Sequence, residues 1–115
     1  MLSREHRVPR RHFSDILAVS RSWHLPMLSL RTARRRGDGK KGAPQFAFVV
    51  SHKVAARAVD RNRLKRRARA IAQELLPMVK DNQACLLFFK KGAPDLSYQE
   101  LKNIIQSILA RASVI

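Results

Sequence analysis

The sequence predicts an α+β fold in the order α-β-β-β-α-β-α, with helices packed on a sheet. Three observations carry that expectation: an apolar stripe at helical spacing from Leu64 to Leu76, a short apolar run from Ala84 to Lys90, and an amphipathic stretch with a capping signal from Ser97 onward. At 115 residues the chain has room for one core, so residues 1–115 are read as a single domain.

The elements follow in order. Pro9 suits the opening of a helical turn, and Phe13, Ile16 and Leu17 recur at helical spacing, so residues 10–20 should form a short first helix behind a flexible basic amino terminus, residues 1–9. From Ser22 to Thr32 the apolar Trp23, Leu25, Met27, Leu28 and Leu30 mix with polar residues. Pro26 lacks the N–H that a strand ladder needs, which divides this stretch into two short strands. Residues 33–45 should be an exposed basic connection, since Ala33 to Gly42 holds three glycines, five positive charges and no apolar period. Gln45 to Ser51 then puts Phe46, Phe48 and Val50 on one side and Ala47 and Val49 on the other, apolar enough for a central strand.

Asp60 is read as the N-cap of a helix of about four turns that ends near Pro77. Its inner stripe is Leu64, Ala68, Ile71, Ala72, Leu75 and Leu76. Ala84 to Lys90 reads as a buried strand, and Gly92-Ala93-Pro94 as the loop that follows. Ser97 and Glu100 form a capping box, with Leu96 and Leu101 placed as a hydrophobic staple. Leu101, Ile104, Ile105, Ile108, Leu109 and Ala112 then form one stripe, which should pack on the sheet.

The net charge of +16 points to a polyanionic partner. Its distribution says more: residues 1–69 hold 19 Lys and Arg against 4 Asp and Glu, whereas residues 70–115 hold 5 against 4. The binding surface therefore belongs to the first part of the chain. No stretch reaches the roughly 18 apolar residues of a spanning helix, and Arg4, Arg7, Arg10 and Arg11 interrupt any apolar leader, so the reading is cytoplasmic with no membrane partner.

The densest charge runs from Lys53 to Arg69, with eight basic residues and one acid. Like charges three and four residues apart, as at Arg63, Arg66 and Arg67, each cost a helix a few tenths of a kcal/mol, and a polyanion relieves that repulsion. At about 100° per residue the Leu64, Ala68, Ile71 and Leu75 stripe turns inward, while Asn62, Arg66, Arg69 and Gln73 cluster outward. Guanidinium forks fit phosphate oxygens, and Asn62 offers both a donor and an acceptor. A merely solvated basic helix fits less well, because the two faces separate and acidic partners are missing. Arg34–Arg36 and Lys40–Lys41 fit a solubility loop as well as a nucleic-acid contact.

No catalytic constellation emerges. The carboxylates are scattered, the four histidines are not spaced as metal ligands, and no glycine-rich phosphate loop occurs. Cys85, the lone cysteine, lies in an apolar run and reads as a buried structural thiol. The expectation is a chain with no catalytic residue, no metal site, no tightly bound cofactor and no small-molecule substrate. A structural RNA-binding protein of the ribosomal type shares these features, and co-purifying RNA would discriminate. A protein nuclease or DNA-binding module is disfavoured by the missing paired carboxylates and the absence of a helix-turn-helix pattern around residues 61–76.

The contiguous stretch Ala58-Val59-Asp60-Arg61-Asn62-Arg63-Leu64-Lys65-Arg66-Arg67-Ala68-Arg69 resembles the signature of the bacterial ribonuclease P protein family. Phe13 in a first helix, Phe48 to Lys53 before the signature, and the strand and capped helix after it agree with the resemblance. It implies a compact α/β sandwich of one sheet with helices packed on it and a left-handed βαβ crossover, and a subunit that binds a catalytic RNA and the 5′ leader of precursor tRNA. The RNA would perform the endonucleolytic step and would itself require Mg²⁺. Carried over residue by residue, Lys53, Arg57, Arg61, Asn62, Arg63, Lys65, Arg66 and Arg69 match the RNA-facing motif and its approach, and Phe13 and Phe48 match leader-cleft positions. The chain departs from the family pattern at His52, Ala55 and Ala70, and at Leu17 and Leu30, where aromatic residues are frequent. Fewer aromatics imply weaker stacking in the cleft, at roughly 1 to 3 kcal/mol per base.

Overall fold

A computed structural model describes residues 2–34 and 42–115. Its elements are α1 (Phe13–Val19), β1 (Arg21–Leu25), β2 (Leu28–Arg34), β3 (Gln45–Val49), α2 (Ala58–Leu75), β4 (Gln83–Phe89) and α3 (Tyr98–Arg111), joined by short 3₁₀ turns. The α-β-β-β-α-β-α order is the expected one. Pro26 and Met27 form the two-residue turn between β1 and β2, where a missing N–H is harmless.

The four strands lie in the order β1-β2-β4-β3. Strands β1 and β2 pair antiparallel, as do β2 and β4, while β3 and β4 run parallel and are joined through α2. A parallel pair cannot be closed by a tight turn, so the β3-to-β4 connection must be a long crossover, and α2 fills it.

The register assigns each side chain to a face. Phe46, Cys85 and Thr32 form one row, and Phe48, Leu87, Leu30 and Trp23 the next row on the same face. Against this face pack Leu64, Ala68, Ile71, Ala72 and Leu75 of α2 and Leu101, Ile105, Ile108 and Leu109 of α3, which together make the core. On the opposite face the rows are Gln45, Ala84 and Ala33, then Ala47, Leu86 and Arg31, then Val49, Phe88 and Ser29. Helix α1 lies on that second face, where His12, Asp15, Ile16 and Val19 border a cleft floored by Ala33 and Ala84.

Several expectations are corrected. The amino terminus is docked rather than flexible: Leu2 is 1% exposed and belongs to the core. Val8 N–H donates to Phe46 O at 3.0 Å, and His6 Nδ1 lies 2.8 Å from Pro44 O. Apolar burial at Leu2 and Val8 outweighs the basic composition that suggested an unanchored tail. β3 is an edge strand, not a central one, and its apolar composition persists because the Arg7–Val8 segment covers its outer edge through a bridge to Phe46. Within residues 33–45, Ala33 and Arg34 extend β2 and Gln45 begins β3, while residues 35–41 lie outside the described residues. Gly42 is held at the entry to β3 by reciprocal hydrogen bonds with the backbone N–H and the side-chain Oδ1 of Asn82.

Asp60 is not the N-cap. α2 begins three residues earlier than expected, with Arg57 at the cap and no side-chain capping bond, and Asp60 sits in the first turn, where a negative charge suits the helix dipole. The capping box of α3 forms as expected: Glu100 N–H donates to Ser97 Oγ at 3.1 Å, and Ser97 N–H donates to Glu100 Oε1 at 2.9 Å. Hydrogen bonds from the Ser97 backbone and then from its hydroxyl hold the Glu100 carboxyl below its ordinary range. Glu74 of α2 is also held low, by hydrogen bonds from Lys102 and then from Tyr98 of α3, at 2.9 and 3.1 Å, clipping the two helices together.

Candidate nucleic-acid interface

Helix α2 is anchored to the sheet by five buried side chains, and this docking gives its outer face a fixed orientation. Asn62, Arg63, Arg66 and Arg69 are exposed on that helix, and Lys53 and Arg57 are exposed on the connection that leads into it. Arg61, Lys65 and Arg67 are half-buried, as expected for stems lying beside the apolar stripe.

Hydrogen bonding divides these cations into two groups. Arg57 grips Asp60 with a fork, Nε to Oδ2 at 2.8 Å and Nη2 to Oδ1 at 3.4 Å. Arg67 Nη2 donates to Leu96 O at 3.0 Å, tying α2 to the start of α3. Arg61 Nη1 donates to Ala55 O at 3.0 Å and to Ala56 O at 2.8 Å, and lies 3.2 Å from His52 Nδ1. Lys53, Arg63, Lys65, Arg66 and Arg69 have no side-chain partner among the described residues. Of the described lysines and arginines, only Arg57 and Lys102 form an ion pair. The result is a rigid basic face whose charge the protein leaves largely unneutralised.

The two aromatic residues expected to share a cleft are not brought together. Phe13 opens α1 and is half-buried. Phe48 belongs to the α2–α3 side of the sheet, stacked at 6.3 Å from Phe46 and 6.5 Å from Phe89. The face that carries α1 presents a different set. A cleft of about 750 Å³ lies between α1 and the Ala33, Ala84 and Gln45 row. Two rows further along, half-exposed Phe88 and Val49 lie beside Ser29. Arg31, in the row between, donates from Nη1 to Ser20 Oγ at 3.2 Å.

Sequence reading missed Phe88 because Leu86 to Phe89 is apolar at every position, so alternation is invisible and only register shows which side chain turns outward. It missed the engaged state of Arg61 and Arg67 for a related reason, since an arginine bound to carbonyls and a free one have the same spacing. No three His, Cys, Asp or Glu side chains among the described residues come together as they would around a metal ion. Burial pushes the Cys85 thiol up to about 12, far from a usable nucleophile. No helix among the described residues is long and apolar enough to cross a membrane.

Comparisons with known proteins agree with the fold. The family described as Ribonuclease P matches residues 2–113. The chain is 34% identical to the ribonuclease P protein component of Pseudanabaena sp., covering 100% of this chain and 97% of that protein. It is 30% identical to that of Cyanothece sp., covering 100% and 98%. In fold it is similar to the Staphylococcus aureus RNase P protein, with a TM-score of 0.81 at 19% identity over 95% of this chain and 96% of that one. The Thermotoga maritima RNase P protein superposes with a TM-score of 0.79 at 19% identity over 91% and 96%. A fold, a basic helix and a match along nearly the whole sequence converge, and this chain belongs to the ribonuclease P protein family.

Proposed function

We infer that this chain is the protein subunit of a ribonuclease P, working with a catalytic RNA to remove the 5′ leader of precursor tRNA in the cytoplasm. The observation that carries the reading is the exposed, unpartnered set Arg63, Arg66 and Arg69 on a helix fixed to the core by its opposite face. Lys53, Arg57, Asn62 and Lys65 extend that surface, which holds phosphates of the RNA partner. Each contact releases counterions, so affinity falls steeply with salt.

The leader of precursor tRNA lies on the other side of the sheet, along the cleft below α1 and across the surface that ends at Phe88, with Phe13 at the start of α1. Support comes from the topology: α2 and α1 occupy opposite faces, so the two RNAs have separate surfaces. A mature tRNA has no leader and loses the second set of contacts, which favours release of product over substrate. The Mg²⁺ that phosphodiester hydrolysis requires is held by the RNA.

Reconstitution tests the reading. The isolated protein in Mg²⁺ leaves precursor tRNA intact, and adding the ribonuclease P RNA of the same organism produces cleavage at the mature 5′ end at lower Mg²⁺ than the RNA alone needs. Site-specific cleavage by RNA-free protein, or an RNA whose activity the protein does not alter, refutes it.

A further inference from the structure

Arg61 stands in the middle of the basic run, yet its position differs from that of its neighbours. Its Nη1 donates to the carbonyls of Ala55 and Ala56 at 3.0 and 2.8 Å and lies 3.2 Å from His52 Nδ1. All three acceptors belong to the connection between β3 and α2, and Arg61 lies in the opening turns of α2. The connection is itself a closed turn, because Ser51 O accepts from Val54 N–H at 3.0 Å and from Ala55 N–H at 3.2 Å. Ala55 is buried at its far end, and Lys53 projects from it, exposed and without a partner among the described residues.

A chain that leaves a sheet edge and enters a helix across a few residues has one rotational freedom to lose, namely the angle of the turn against the helix. The Ser51 bonds close the turn but do not orient it. Asp60 of α2 accepts from Arg57, the last residue before the helix, but the only described side chain of α2 that reaches back to residues 52–56 is Arg61. Two carbonyls met by one guanidinium nitrogen define a direction, which a single bond does not.

We propose that Arg61 is a positioning residue for RNA binding: its guanidinium latches the 52–56 connection to α2 and thereby sets Lys53 in line with Arg63 and Arg66. The proposal rests on the reading of α2 as the RNA-facing helix and assigns Arg61 a role in that surface other than phosphate contact. Arg61 Nε and Nη2 have no partner among the described residues, so the decisive experiment separates a latch from a direct contact.

The salt dependence of binding to the ribonuclease P RNA is measured for wild type, Lys53→Ala, Arg61→Ala, Arg61→Lys and the double variant Lys53→Ala/Arg61→Ala. Lys53→Ala lowers the slope by about 1 in the wild-type background. With Arg61→Ala already present it changes nothing, because the ammonium has lost its place. Arg61→Lys keeps the charge, but its shorter side chain ends before the Nη1 position that meets both carbonyls, and its slope falls as that of Arg61→Ala does. Equal effects of Lys53→Ala in both backgrounds, or a wild-type slope in Arg61→Lys, overturn the latch. Arg63→Ala and Arg66→Ala, measured alongside, report on the underlying reading: if neither changes the slope, the RNA-facing assignment fails. The latch is then judged without RNA, by hydrogen exchange at the Val54 and Ala55 amides. Faster exchange in Arg61→Ala, with the β4 amides unchanged, supports it, and unchanged exchange overturns it.

Discussion

Phe48 and Phe88 stand on adjacent strands and face opposite sides of the sheet. Phe48 pairs with Leu87 and packs, half-buried, against the core, while Phe88 pairs with Val49 one residue further on and lies, also half-buried, on the opposite face. A one-residue step in a strand exchanges one face for the other, so two neighbouring phenylalanines meet different surroundings.

The first prediction follows. Phe48→Ala lowers stability by about 2 to 3 kcal/mol, somewhat less than the range for a fully buried phenylalanine, as read from urea unfolding. Phe88→Ala and Phe13→Ala, at half-buried positions outside the core cluster, cost less stability than Phe48→Ala and remove the affinity that precursor tRNA gains as its leader lengthens from one to about eight nucleotides. Loss of leader dependence in Phe48→Ala, with full stability, contradicts the assignment of faces.

Arg63→Ala and Arg66→Ala each flatten the salt dependence of binding to the partner RNA, by about 1 in the slope of log K against log salt. Circular dichroism stays at the wild-type level, since neither side chain has a structural partner among the described residues. A solvated basic helix instead gives unchanged slopes in both variants.

Leu2 is 1% exposed in the core, in a segment whose composition suggested a loose tail. Leu2→Ala costs about 2 to 3 kcal/mol by cavity formation, and the urea midpoint drops accordingly. Deleting residues 1–8 costs more and uncovers the edge of β3, with concentration-dependent association visible in light scattering. A truncated chain with wild-type stability rules out a structural role for the segment.

Burial holds the Cys85 thiol up to about 12. In the native protein at pH 8 it reacts with iodoacetamide only at the rate of global unfolding, and in urea at the rate of a free thiol. Rapid native labelling means that β4 opens locally.

Glu74 and Glu100 are both held below the ordinary carboxylate range, Glu74 by hydrogen bonds from Lys102 and Tyr98, Glu100 by bonds from the Ser97 backbone and hydroxyl. A lowered folded-state pKa stabilises above the unfolded value, and that contribution is lost as pH falls through the folded one. Stability therefore declines on acidification below the ordinary carboxylate range. The double variant Glu74→Gln/Glu100→Gln begins less stable at neutral pH and shows a shallower decline. Parallel pH profiles for the two proteins disprove the linkage.

The chain order of helices and strands, the inner stripes of α2 and α3, the capping box at Ser97 and the basic run from Lys53 to Arg69 were legible in the sequence, because each is a local pattern. Helical period, cap spacing and charge density depend on residues within one or two turns of each other. What only the tertiary structure decided is which long-range neighbour each residue meets. β3 reads as central by composition and is an edge, because the amino-terminal segment returns to cover it. Phe88 and Phe48 separate because pairing register sets a strand residue's face, and a continuous apolar run carries no register of its own. Arg61 and Arg67 carry the same charge in the same basic run as Arg63 and Arg66, and helical position alone does not say which of them is engaged. The carbonyls of Ala55, Ala56 and Leu96 distinguish them, and those carbonyls reach the arginines only when the connection and α3 have packed against α2.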